Sequence, residues 1–127
     1  MKKILVIDDD YEMTRPFLLM WGDGKGIEFF WAANSNEGIR QIKASPIDAI
    51  LMDGNLINEY GHEVVSRIRG MGILTPIVMF SSSSKQNELG VRAGANGLVN
   101  KNEFVSSESM GKGGAADVLA DFLLIAK

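Results

Sequence analysis

The chain has 127 residues, of which 46% are hydrophobic, and this length suits one globular domain over residues 1–127. It contains no cysteine, which excludes disulfides, thiolate metal sites and cysteine nucleophiles and predicts a cytoplasmic protein. The net charge of −3 and the dispersed basic residues argue against a nucleic-acid surface, and no apolar run approaches the ~20 residues that a membrane span needs.

Five short apolar strands alternate with helical segments along the chain, which is the pattern of a parallel sheet covered on both faces. The predicted strands lie near residues 3–7, 28–32, 48–52, 76–80 and 97–100. The second to fifth predicted helices cover about 35–43, 59–69, 85–93 and 115–126. The sequence therefore predicts an α/β fold.

The first helix can be placed in two ways because Pro16 lies where an interior proline would lose a hydrogen bond. Either the helix bends there, or it begins late with Thr14 as its cap.

The spacing of apolar residues predicts which side chains two later helices bury. In the fourth helix these are Leu89 and Val91. For the last helix the expected apolar stripe is Val118, Leu119, Phe122 and Ile125.

Polar side chains follow several of the predicted strands, at the edge where an open α/β sheet places its chemistry. The first strand is followed by Asp8, Asp9 and Asp10, and the third by Asp53. Ser81 follows the fourth strand, and Lys101 follows the fifth. Two carboxylates ~4 Å apart repel by roughly 4 kcal/mol at an effective dielectric constant of 20, so such a cluster calls for a cation. A site made of oxygen ligands favours magnesium.

In these residues the chain resembles the receiver domains of two-component response regulators. The resemblance rests on residues 4–10 and 49–53, on Gly61, on Ser81 and on the segment 94–97 that leads to Lys101. It implies a flavodoxin-like, doubly wound sheet of five parallel strands in the order 2-1-3-4-5, with helices on both faces.

The resemblance also implies a role for each site residue. Asp53 would be the phosphoacceptor, and Asp8 and Asp9 would hold Mg²⁺ together with Asp53 and the backbone carbonyl of Asn55. The hydroxyl of Ser81 and the ammonium of Lys101 would contact the phosphoryl group. In the family, the side chains at two further positions control how water reaches the acyl phosphate. Here these side chains belong to Asn55 and Ser83, and their small size predicts a short-lived acyl phosphate.

The implied partners are a sensor histidine kinase or a histidine phosphotransfer protein, and a downstream protein target, with no nucleic acid and no membrane. The protein would accept and then lose a phosphoryl group without being a conventional turnover enzyme. His62 is interpreted as a surface residue, which leaves no internal base for a catalytic triad.

The sequence departs from the family pattern at several positions. Asn102 follows the lysine where the family usually has proline with a cis bond, so we expect a trans peptide between Lys101 and Asn102. Leu98 replaces an aromatic residue that swings inward on activation in the family. Leu56 and Ile57 replace a Met-Pro pair, and residues 106–114 are expected to form a long surface loop.

Two other classes of function remain open at this stage. The first is a degenerate receiver that acts as a phosphorylation-independent interaction module, which Asn102 and Leu98 make credible. The second is a phosphohydrolase with an aspartate nucleophile or a flavodoxin-like nucleotide binder. Against this second class, no glycine-rich phosphate loop follows the first strand.

Overall fold

Five parallel strands form the central sheet of the protein, seen here as a computed structural model that describes residues 1–106 and 114–124. All strands of the described chain are β1 (Lys2–Ile7), β2 (Ile27–Ala32), β3 (Ala49–Met52), β4 (Asn55–Leu56), β5 (Glu59–Tyr60), β6 (Ile77–Ser81) and β7 (Gly97–Asn100). The sheet order is β2-β1-β3-β6-β7, while β4 and β5 form a separate antiparallel hairpin. Without the hairpin, this is the predicted order 2-1-3-4-5, so the predicted fold is confirmed.

Six helices connect and cover the strands in the described residues. They are α1 (Tyr11–Gly22), α2 (Ser35–Ala44), α3 (Gly61–Gly70), α4 (Ser84–Ala93), α5 (Lys101–Val105) and α6 (Ala115–Leu123). Side-chain caps fix three of these starts: Asn34 Oδ1 accepts from the Glu37 amide at 2.9 Å, Ser83 Oγ accepts from the Gln86 amide at 3.2 Å, and Asn100 Oδ1 accepts from the Glu103 amide at 3.1 Å. Within the described ranges, no helix has the length and apolarity to span a membrane.

Alternation along the buried strands produces two cores, one on each face of the sheet. In β1, Ile4 and Val6 face one side, and Leu5 and Ile7 face the other. The first core also takes buried residues from α1, α5 and α6, and the second takes them from α2 and α3. The sheet is thus covered on both faces, and its carboxyl edge is left for polar residues.

Of the two placements that the sequence left open for the first helix, the late start is wrong. Helix α1 begins at Tyr11, directly after Asp10, and runs through Pro16. Packing explains the extra turn, because Thr14 is buried and the Tyr11 ring lies 5.5 Å from the Trp31 ring. These contacts offset the hydrogen bond that the proline cannot donate.

The buried faces of two later helices differ from those predicted. Val91 in α4 is exposed and Leu89 is only half-buried, whereas Asn87 and Gly90 are buried. Gly90 is needed because a side chain there would overlap Met79 of β6.

In α6 the predicted stripe is partly wrong. Val118 is exposed, Leu119 is buried and Phe122 is half-buried, while Ile125 lies outside the described residues. Ala116, Ala120 and Leu123 complete the buried face. Most of the loop expected at 106–114 also lies outside the described residues, as does the end of the predicted last helix.

Candidate functional site

Three carboxylates meet at the carboxyl edge of the sheet. Asp8 and Asp9 follow β1, and Asp53 follows the neighbouring strand β3. One carboxylate oxygen from each lies within 4.8 Å of the others. Asp8 and Asp53 are buried, and Asp9 is partly exposed. Oxygen donors at this spacing fit a hard divalent cation that keeps part of its water shell, so this cluster could hold a metal ion.

Lys101 follows β7, the edge strand of the sheet, and its side chain reaches the cluster. Its Nζ donates to Asp8 Oδ2 at 2.6 Å and lies 3.5 Å from Asp53 Oδ1. Helix α5 begins at Lys101 because Asn100 Oδ1 accepts from the Glu103 amide at 3.1 Å and caps that helix. Lys101 therefore stands in the site although Asn102 follows it, and the peptide between them is trans, as predicted.

The position of Asp53 makes its carboxyl group less acidic than usual. The pKa of Asp53 is raised to about 6, chiefly by burial and to a lesser extent by the charge of Asp8. The Lys101 ammonium and a hydrogen bond from the Asn55 backbone act in the opposite direction. The pKa is raised overall because burial is the largest of these effects.

Ser81 ends β6 beside this cluster and is almost fully buried. Its Oγ accepts from the Ser83 amide at 3.2 Å, which leaves the hydroxyl proton available to a ligand oxygen. The Ser81 carbonyl accepts from Asn87 Nδ2 at 2.9 Å, so strand β6 is tied to α4. Asn87 Oδ1 is buried without a partner among the described residues.

Two glycines beside Asp53 allow the neighbouring segments to pack closely around it. A side chain at Gly61 would overlap the backbone carbonyl of Asp53, and a Cβ at Gly54 would lie 2.5 Å from Gln86 Cβ. Asn55 follows in the β4 strand of the hairpin and is exposed. Its carbonyl is therefore carried by a short element that runs beside the acidic cluster.

His62 is partly exposed and makes contacts that its interpretation as a surface residue did not include. His62 is half-buried, its Nδ1 lies 3.2 Å from Gln86 Oε1, and its ring stacks on that of Tyr60. This contact joins α3 to α4 next to Gly54. Sequence spacing gives no sign of it, because the two residues lie on different helices.

Comparisons with known proteins agree with this fold. The family model described as the response regulator receiver domain matches residues 4–107. The two-component response regulator ORR41 of Oryza sativa subsp. japonica is 31% identical over 118 residues, which cover 87% of this chain and 90% of that protein. The chain therefore belongs to the family of response regulator receiver domains.

Two further likenesses concern a larger protein and a solved structure. The autoinducer 1 sensor kinase/phosphatase LuxN of Vibrio harveyi is 32% identical over 85 residues, or 67% of this chain but 10% of LuxN. The response regulator TrrA of Thermotoga maritima, solved in complex with Mg²⁺-BeF, has a TM-score of 0.75 at 23% identity and covers 96% of this chain and 99% of its own. The second likeness shows the shared fold.

Proposed function

We propose that this receiver accepts a phosphoryl group on Asp53 from a phosphohistidine, with Mg²⁺ bound beside it. The convergence of Asp8, Asp9 and Asp53 with Lys101 at one sheet edge carries the proposal. A site of three carboxylates and one ammonium is built to gather a cation and then an anion.

The proposed reaction needs only one nucleophile from the protein. An Asp53 carboxylate oxygen forms a bond to phosphorus as the bond from phosphorus to the donor imidazole nitrogen breaks, and the imidazole leaves with its electron pair. Water later attacks the acyl phosphate, which returns the carboxylate and releases inorganic phosphate. No other covalent step is required.

The surrounding groups would position and neutralise the phosphoryl group. Mg²⁺, held by Asp8, Asp9, Asp53 and the carbonyl of Asn55, would neutralise charge on the phosphoryl oxygens. The Ser81 hydroxyl would donate to one oxygen and Lys101 would pair with another. Lys101 already lies 3.5 Å from Asp53, so a modest movement away from Asp8 is enough.

The proposed partners are a sensor histidine kinase or a histidine phosphotransfer protein as donor, and a protein target for the phosphorylated form. The similarity to a segment of a sensor kinase supports the first of these. The output would follow from Ser81 and Lys101, whose movement toward the acyl phosphate would shift the start of α4. We place this exchange in the cytoplasm.

A degenerate receiver that acts without phosphorylation is the alternative. Such a receiver would not need Lys101 in the site, and the replacement of the usual proline by Asn102 left the position of Lys101 open. The 2.6 Å contact between Lys101 Nζ and Asp8 speaks against it.

The test is incubation with acetyl phosphate and Mg²⁺, followed by intact-mass analysis. One phosphoryl group should be added to the wild-type protein and to Asp23→Asn, a control at an exposed position after α1. Asp53→Asn should take up none. Asp9→Asn should raise the Mg²⁺ concentration needed, and Lys101→Ala should retain some phosphorylation without the shift in α4.

Two results would overturn the proposal. Uptake of phosphate by Asp53→Asn would move the acceptor elsewhere, with Ser81 to Ser84 as the first positions to map. No uptake by the wild-type protein at saturating Mg²⁺, together with binding of a partner, would make the degenerate receiver the better description.

A further inference from the structure

The hairpin formed by β4 and β5 is held from outside by a polar network that the proposed reaction does not use. Glu59 in β5 accepts at Oε1 from Arg67 Nη2 of α3, at 2.7 Å. Its other oxygen, Oε2, accepts from the Ser35 amide at the start of α2, at 3.4 Å. Arg67 Nη1 also donates to Ser35 Oγ at 3.3 Å, which closes a triangle of three residues from three elements.

This triangle is anchored on a buried residue. Ser35 is 3% exposed, and the Glu59 side chain is 19% exposed. Burial alone would raise the pKa of Glu59, but hydrogen bonds from Ser35 and Arg67 and the charge of Arg67 outweigh it, and the pKa is lowered. Glu59 is therefore held as an anion between two fixed partners.

The hairpin connects Glu59 to the acidic cluster through backbone hydrogen bonds. Glu59 pairs with Leu56 across the hairpin, and Tyr60 pairs with Asn55. The Asn55 backbone in turn hydrogen-bonds to the Asp53 carboxyl group. Leu56 is buried, but its neighbours Asn55 and Ile57 are exposed, so little apolar packing holds this strand in place.

We infer that Glu59, held by Arg67 and Ser35, is a positioning residue that fixes the Asn55 backbone beside Asp53 and thereby sets the affinity of the acidic cluster for a divalent cation. This inference rests on the proposed function, because it assigns the Asn55 carbonyl to that cation. Glu59 does not touch the cation; it acts through the hairpin.

The expected effect is on affinity rather than on the chemical step. Loss of a group that orients a metal ligand weakens metal binding by about 10- to 100-fold, and partial exposure of the pair to solvent places the effect of Glu59 at or below the lower limit. In Glu59→Gln the Kd for Mg²⁺ should thus rise by about three- to tenfold. The rate of phosphorylation at saturating Mg²⁺ should stay near that of the wild type, since the metal-loaded site is the same.

The experiment measures Mg²⁺ binding by calorimetry, the saturated rate with acetyl phosphate, and hydrogen exchange of the hairpin amides without metal. Glu37→Gln is the matched control, because Glu37 accepts from the Ala33 amide at the same end of α2 but does not touch the hairpin. Arg67→Met should reproduce the effect of Glu59→Gln. The double variant should be little worse than either single variant, since both remove one interaction.

Each outcome decides one claim. Faster exchange at Asn55 and Leu56 and weaker Mg²⁺ binding in Glu59→Gln, with Glu37→Gln unchanged, support the inference. An unchanged Kd in Glu59→Gln, or an equal loss in Glu37→Gln, overturns it while the proposed function stands. If the wild-type protein binds no Mg²⁺, the proposed function fails, and the exchange rates still decide whether Glu59 holds the hairpin.

Discussion

At the scale of single residues, Asp53 makes folding depend on pH. Its pKa is raised from 3.8 to about 6 in the folded protein, chiefly by burial. The folded state therefore binds this proton more tightly than the unfolded chain does. The contribution to stability is fully present below pH 3.8 and is lost as the pH rises through about 6.

We expect Asp53→Asn to gain stability relative to the wild-type protein as the pH rises from 5 to 8 without metal, by roughly 1 kcal/mol. Asparagine has no proton to lose, so the cost of burying the charge disappears. Urea unfolding at the two pH values, with the difference taken between variants, measures this. An equal difference at both values would show that the carboxyl group is not protonated preferentially in the folded state.

Asn55 and Ser83 were expected to control how quickly water reaches the acyl phosphate. The structure separates the two, because Ser83 caps α4 and its replacement would also disturb that helix. Asn55 is exposed and its side chain is not part of a cap. It is therefore the cleaner position for a test.

Asn55→Met should slow loss of the phosphoryl group, because a larger apolar side chain would exclude water from the Asp53 side of the hairpin. The measurement is release of inorganic phosphate after removal of the donor, with Ile57→Met as a control at the exposed end of the same hairpin. Equal decay rates for Asn55→Met and the wild type would contradict the expectation.

At the scale of elements, Arg69 joins the end of α3 to the two loops that enter β6 and β7. Its guanidinium donates to the carbonyls of Ile73, Thr75 and Gly94 and to Asn96 Oδ1, at distances of 2.8 to 3.0 Å. Burial lowers the pKa of Arg69. The four bonds share one planar group, which lysine cannot imitate.

Arg69→Lys should destabilise the protein by about 2 kcal/mol, because several acceptors lose a charged donor at once. Arg40→Lys, at an exposed position on α2, should change the free energy of unfolding little. Urea unfolding of both variants checks this. Equal stability of the two variants would mean that water replaces the guanidinium without loss.

Elements that depend on local pattern could be predicted, and elements that depend on distant contacts could not. The five strands follow from apolar runs, and the start of α2 follows from Asn34. Helix α5 was missed because five residues show no clear period. The start of α1 was left open because burial of Thr14 and contact with Trp31 are tertiary effects.

The site shows the same division. The order of acidic residues along the chain predicted that Asp8, Asp9 and Asp53 would meet, since parallel strands end at one edge. The triangle of Ser35, Glu59 and Arg67 could not be predicted, because it joins residues up to 32 positions apart through side chains alone.

At the scale of the whole molecule, the acidic cluster links stability to metal concentration. A ligand that binds only the folded state stabilises it by about 2.7 kcal/mol at 100 times its Kd. We therefore expect Mg²⁺ to raise the thermal midpoint of the wild-type protein and, at the same concentration, to raise that of Asp9→Asn by less. Scanning calorimetry with and without Mg²⁺ is the measurement, and Ca²⁺ provides a second cation. An equal rise in both variants would place the binding site away from Asp9.

The aromatic residues of the first core suggest an optical route to the same events. Trp21 is 6% exposed and meets Phe104 of α5 edge-on at 5.6 Å between ring centroids, and Phe104 in turn meets Phe80 of β6 at 5.3 Å. The second indole, Trp31, lies against Phe29 near the outer strand of the sheet. A Trp31→Phe variant would therefore leave a single tryptophan, Trp21, beside the short helix that begins at Lys101. Its emission would report in real time, without a label, any displacement of that helix during signalling.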